Sequence, residues 1–97
     1  MKAMYLTIDQ EATGENIRAL MRSNGYSVRD IQEVMGFSYP QAVYNWISGK
    51  TLPAIENLLI LSRLFHTSIN NILVVDEDVV VLEENSTIRD IRARITA

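Results

Sequence analysis

A chain of 97 residues, 47% hydrophobic and 22% charged, has the length of one domain and enough apolar residues for a modest core. The absence of cysteine excludes disulfide staples, thiolate nucleophiles and cysteine-ligated zinc, and fits a reducing compartment. The formal net charge of −3 excludes a protein that holds polyanions by bulk charge alone.

The opening MKAMYLTIDQEATG carries one lysine and no continuous apolar stretch, so no secretory signal is expected there. No apolar run approaches the roughly 20 residues of a membrane span. A cytoplasmic protein without a membrane partner is the expectation. Tyr5 to Asp9 alternates apolar and polar residues, as a short strand or a loosely ordered arm would. Thr13 then reads as the N-cap of a first helix. Ile17, Leu20 and Met21 share one face of it, and it ends near Asn24 and Gly25. Arg18 and Arg22 share the solvent side, one turn apart. Such pairs are ordinarily surface charge, unless a phosphate backbone runs beside them.

Residues Ser27 to Lys50, SVRDIQEVMGFSYPQAVYNWISGK, read as two short helices about a tight turn. Ser27 caps the first and Asp30, three residues on, completes a box-like cap at the positive helix end; Gly36 stops it. Ile31, Val34 and Met35 should pack inward, with Arg29, Gln32 and Glu33 outside. The second opens at Ser38 as N-cap, holds Pro40 in its first turn, runs to Ser48 and breaks at Gly49. Val43 and Trp46 face the core with Ala42 and Ile47 beside them, which leaves Tyr39, Gln41, Tyr44, Asn45 and Ser48 to solvent. That exposed set has hydrogen-bonding tips and no charge, unlike a generic surface helix rich in Lys and Glu.

Pro53 starts a fourth helix whose Ile55, Leu58, Leu59, Ile60, Leu61, Leu64 and Phe65 form an apolar surface wider than one stripe, the central core helix. His66, the single histidine, falls at its end, where a left-handed cap is the expected role rather than a ligand or base. Thr67 or Ser68 caps a short fifth helix with Ile69, Ile72 and Leu73. Beyond Val75 an acidic turn precedes a strand, Val79 to Leu82, which would pair with the strand near Tyr5 and lean on the helices or on a second subunit. Ser86 would cap a last helix carrying Ile88, Ile91 and Ile95.

The combination of the Ile17/Leu20/Met21 face, Gly25 before Ser27, the Ile31 to Gly36 segment, Ser38, the run Gln41-Ala42-Val43-Tyr44-Asn45-Trp46, Gly49-Lys50, Pro53 and Ser68-Ile69-Asn70-Asn71-Ile72-Leu73 resembles the lambda-repressor-like, Xre-type helix-turn-helix family of DNA-binding regulators. The resemblance implies a mainly α fold, a five-helix lambda-repressor-like DNA-binding domain, here with short N- and C-terminal β-strands and a C-terminal helix. It also implies binding to operator DNA as a dimer, with the third helix in the major groove. On this basis residues 1–97 form a single domain with a core at 13–75, and the arms 1–12 and 76–97 are candidate dimerisation elements. Two features depart from the family pattern. Val28 stands where the family often has a phosphate-binding glutamine, and the turn through Ser38-Tyr39-Pro40 is one residue longer than usual.

Charge is distributed to suit such a partner. From Arg18 to Lys50 four cations (Arg18, Arg22, Arg29, Lys50) face two acids (Asp30, Glu33), a local balance of +2, while acid gathers in Asp76, Glu77, Asp78, Glu83 and Glu84. Asn and Gln side chains can bond adenine N6 and N7 together, and Gln41 and Asn45 lie one turn apart. They are the expected base readers. Tyr44 would add a base or thymine-methyl contact, Tyr39 and Ser38 would bond phosphates, and Lys50 and Arg29 are further phosphate candidates. The expected function is a sequence-specific transcriptional regulator, a repressor occupying its operator as a homodimer. The alternative is an antitoxin-like module that binds a small protein partner and uses DNA only for autoregulation. An enzyme is not expected: there is no Ser/His/Asp constellation, no metal-ligand spacing and no glycine-rich phosphate loop, so no catalytic residue, metal or cofactor is assigned.

Overall fold

A computed structural model describes residues 4–79 of the chain, with side chains described within 6–76. In order they form β1 (Met4–Ile8), α1 (Gln10–Asn24), α2 (Val28–Met35), α3 (Gln41–Ile47), α4 (Ile55–Leu64), α5 (Ile69–Ile72) and β2 (Val75–Val79). The chain divides into two compact units, residues 8–74 and the flanking segments. Within the flanking unit β1 and β2 pair as a two-stranded antiparallel sheet, and the Thr7 hydroxyl donates to the Asp76 carbonyl at 3.4 Å. The acidic residues Asp76, Glu77 and Asp78 therefore belong to β2 rather than to a turn. The expected strand residues Val80 to Leu82 and the expected last helix lie outside the described residues.

The helical unit is built around Ile17 and Met21 of α1, Ile31 of α2, Val43 and Trp46 of α3, Leu58 and Leu61 of α4, Phe65 just beyond it, and Ile72 of α5, all buried. Fully burying a side chain of this size contributes about 1.5–3 kcal/mol. α1 packs on both α3 and α5. Its start is set one turn earlier than expected, because Asp9 is the N-cap: its carboxylate accepts from Ala12 N–H at 2.9 Å, and its own N–H donates to the Val74 carbonyl at 2.8 Å. Thr13 is instead fully buried, and its hydroxyl accepts from the Val74 N–H at 2.9 Å. One turn along, the Asn16 amide donates to the carbonyls of Asn71 and Ile72 at 2.8 and 2.9 Å. These polar ties join the beginning of the unit to its end and leave no buried side-chain polar atom unpaired among the described residues.

Two apolar stripes are narrower than the sequence implied. In α2 the inward line is Val28, Ile31 and Met35; Val34, one residue and about 100° of helix from Met35, is 48% exposed. In α4 the buried line is Leu58 and Leu61, continued by Phe65, while Ile55, Leu59 and Ile60 are exposed. Ser62 enters this line because its hydroxyl bonds the Leu59 carbonyl at 2.6 Å within the same helix. His66 does adopt the left-handed conformation, φ 53°, and Thr67 N–H closes the helix end on the Ser62 carbonyl at 3.0 Å. Ser68, not Thr67, caps α5.

Candidate nucleic-acid interface

The site is built on α2, the turn after it, and α3. α2 carries a complete capping box: Ser27 Oγ accepts from Asp30 N–H at 3.1 Å, and Asp30 Oδ2 accepts from Ser27 N–H at 2.8 Å. Ser27's backbone N–H and then its hydroxyl hold the Asp30 carboxyl below its ordinary value of 3.8, with the Arg29 charge adding to the effect. The helix ends at Gly36, from which the chain enters the turn with Phe37 N–H bonded to the Gln32 carbonyl at 3.0 Å and the Gln32 amide bonded to the Phe37 carbonyl at 3.2 Å. The Phe37 ring then stands edge-on to Trp46, 5.7 Å between centroids. The turn is thus pinned to the core side of α3.

α3 begins at Gln41 with Pro40 as its N-cap and no side-chain cap bond. Ser38, expected as the cap, lies in an exposed bend before the helix, with Tyr39 beside it at 76% exposure. The reason is backbone geometry: Pro40 at φ −80° and ψ 0° already turns the chain, so its carbonyl accepts the first helical bond, from Tyr44 N–H at 3.1 Å. At the other end Asn45's carbonyl accepts from the N–H groups of Lys50 and Thr51 at 2.9 and 3.3 Å.

What fixes α3 in place is its approach to α1. A Cβ on Gly14 would meet the Trp46 carbonyl oxygen and lie 2.9 Å from that of Ile47, so only glycine lets α1 reach the end of α3. Gly49, at φ 80°, is held in the same seam, where a Cβ would lie 2.7 Å from the Glu11 Cα. No periodicity in the sequence marks Gly14, which sits inside a helix where glycine is otherwise unfavourable by about 1 kcal/mol. That cost was its only signal.

The outer face of α3 presents Gln41 and Ser48 exposed, Tyr44 at 49% exposure and Asn45 half-buried. The Gln41 amide nitrogen lies 3.4 Å from Asn45 Oδ1, so the two amides stand side by side. Tyr44, Ser48 and Lys50 line one side of an open groove of about 650 Å³. Arg18 and Arg22 of α1 complete its exposed rim, over a floor of Met21, Tyr26, Val28 and Ile47. Arg29 is not part of it. Its Nε lies 3.4 Å from Glu33 on the outside of α2, an exposed pair. The structure therefore gathers Gln41 with Asn45 and Tyr44 with Lys50, leaves Ser38 and Tyr39 on the preceding turn, and directs Arg29 to a carboxylate. Among the described residues no His, Asp or Glu cluster of metal-binding size occurs, and no helix is long and apolar enough to cross a membrane.

Five helices with an abrupt α2–turn–α3 unit and a short strand pair define a lambda-repressor-like helix-turn-helix domain. Residues 17–72, more than half of the chain, match the helix-turn-helix family model, and the chain belongs to that family, in its Xre-type, lambda-repressor-like branch. Membership places it with DNA-binding regulatory proteins rather than enzymes. Similar folds occur in a transcriptional regulator from Listeria innocua, at 24% identity and TM-score 0.59 over 87% of this chain and 75% of that one. The clp gene regulator ClgR from C. glutamicum is similar at 20% identity and TM-score 0.57, over 68% of this chain and 84% of that one. The S. venezulae BldD DNA-binding domain is similar at 16% identity and TM-score 0.57, over 68% and 97%. No curated protein matches the chain.

Proposed function

We propose that this chain is a sequence-specific regulator that lays α3 in the major groove of double-stranded DNA and represses by occupying its operator as a homodimer. The observation that carries it is the uncharged outer face of α3, Gln41 to Ser48, bordered by cations. A base-reading helix needs neutral donors and acceptors at its centre and charge at its edges, where the phosphates pass. The side-by-side amides of Gln41 and Asn45 offer such groups at one position, matching the N6 donor and N7 acceptor of adenine. Tyr44 adds a thymine-methyl or base contact, and Lys50, Tyr39 and Ser38 take phosphates. Arg29 reaches a phosphate only by leaving Glu33, a small loss for a pair 86% and 67% exposed. The similar folds are named as a DNA-binding domain or as regulators, which accords with this role.

We assign dimerisation to the C-terminal arm on its sequence, where apolar residues recur at Val79 to Leu82 and at Ile88, Ile91 and Ile95. Selection of bound duplexes from a random pool tests the whole proposal. Two inverted half-sites about one helical turn apart are expected. A single unrepeated site would remove the dimer, and a pool that stays random would remove sequence-specific reading.

A further inference from the structure

We propose that Arg18 and Arg22 of α1 anchor a DNA phosphate strand alongside α3, so that the first helix supplies a phosphate grip that Val28, at the start of the second, cannot. This inference rests on the reading of α3 as the base-contacting element. Among the described residues the only ion pair is Arg29 with Glu33, and none of these residues gives Arg18, Arg22 or Lys50 a carboxylate partner. All three line the groove that Tyr44 and Ser48 flank, and none of the described residues lining it is acidic. Val28, the first residue of α2, also borders the groove, yet its side chain has no hydrogen-bonding group and packs against the core. Val28 therefore offers nothing to a phosphate, and Arg29, next in α2, is drawn to Glu33. The two guanidiniums, one turn apart and both exposed, supply forked donors that match phosphate oxygens.

The groove suits a chain of phosphates in particular. It is open, so a strand can run along it, and its cations come from two segments, Arg18 and Arg22 from α1 and Lys50 three residues beyond the end of α3. A duplex seated on the α3 face brings one backbone past that edge.

Salt-dependent binding of the full chain tests the proposal, with the duplex selected from a random pool and a scrambled duplex. Arg18→Gln/Arg22→Gln is expected to weaken both duplexes by the same factor and to lower the slope of log K against log salt by about 1.8, two contacts at about 0.9 each. Arg18→Lys/Arg22→Lys should restore most of the slope. Arg63→Gln, an exposed position on α4, should leave the slope unaltered. A double glutamine variant that stays folded, still prefers its selected duplex and keeps the wild-type slope overturns the phosphate anchor while sparing base reading by α3. Wild-type protein that binds both duplexes equally defeats base reading; a slope that still falls in the double variant then supports the anchor on its own. Saturable stabilisation by a nucleoside monophosphate without DNA, lost in the double variant, would assign the groove to a free phosphate ester and overturn the proposal.

Discussion

Helices α2 and α3 follow each other in the chain and are 8 and 7 residues long, yet different forces hold them. α2 is secured locally, with a capping box at one end, a left-handed glycine at the other and an ion pair on its outer face. It buries only Ile31 completely. α3 has no side-chain cap and no acidic or basic residue in its terminal turns. It is held instead from behind, by Val43 and Trp46 in the core and by two glycines that bring α1 into backbone contact with its end. A helix so short is marginal by itself, and most of its stability must come from packing. The difference leaves the outer surface of α3 unoccupied. Because α3 owes its position to its inner face, its outer face is free of the capping and pairing residues that stabilise α2, and those surface positions can be used for a ligand.

Of the groups holding α3, Trp46 carries the most. Trp46→Ala should cost about 3–5 kcal/mol in chemical denaturation, because it empties the core behind α3 and removes the ring on which Phe37 rests. Gly14→Ala should cost about 1–3 kcal/mol despite alanine's better helix propensity, since the methyl meets backbone carbonyls rather than a movable side chain. A neutral or stabilised Gly14→Ala protein would show that α1 does not brace α3. Ser27→Ala should cost about 1 kcal/mol, the loss of a local cap, with DNA preference retained.

The smallest effect concerns pH. Asp30 has a carboxyl pKa held below its ordinary 3.8, so its contribution to stability is fully present above that value and is lost as the pH falls through the lower folded pKa. Thermal melts of Asp30→Asn should therefore lose less of their midpoint than wild type on acidification below about pH 3.8. An identical acid response in the two proteins would mean that the capping box is not what lowers this carboxyl.

The same contrast explains what could be read in advance. Local signals were sufficient where local forces decide: Ser27, Asp30 and Gly36 mark α2, and His66 marks the end of α4 as a left-handed cap. They misled where distant contacts decide. Asp9 and Thr13 are both capping residue types, and pairing of Asp9 with Val74 across the chain selects the first and buries the second. Ser38 looked like a cap because cap preference ignores a proline that turns the backbone unaided. Val34, Ile55, Leu59 and Ile60 looked internal because composition does not say how wide a buried stripe is. For the site, Gln41, Tyr44 and Asn45 could be placed on the outer face of α3 from periodicity, but the groove could not. Arg18 and Arg22 approach Tyr44 and Lys50 only through the crossing of α1 and α3, and Gly14 permits that crossing.

If the outer face of α3 reads bases, Gln41→Ala should have its effect at a single base pair. Affinity should be measured for the selected duplex, for each single-base change within it, and for random DNA. The expected result is a loss of about 1–3 kcal/mol that appears at one base pair, where preference relaxes, with binding to random DNA little changed. An equal loss on the selected duplex and on random DNA, with every base preference intact, would contradict base reading by α3.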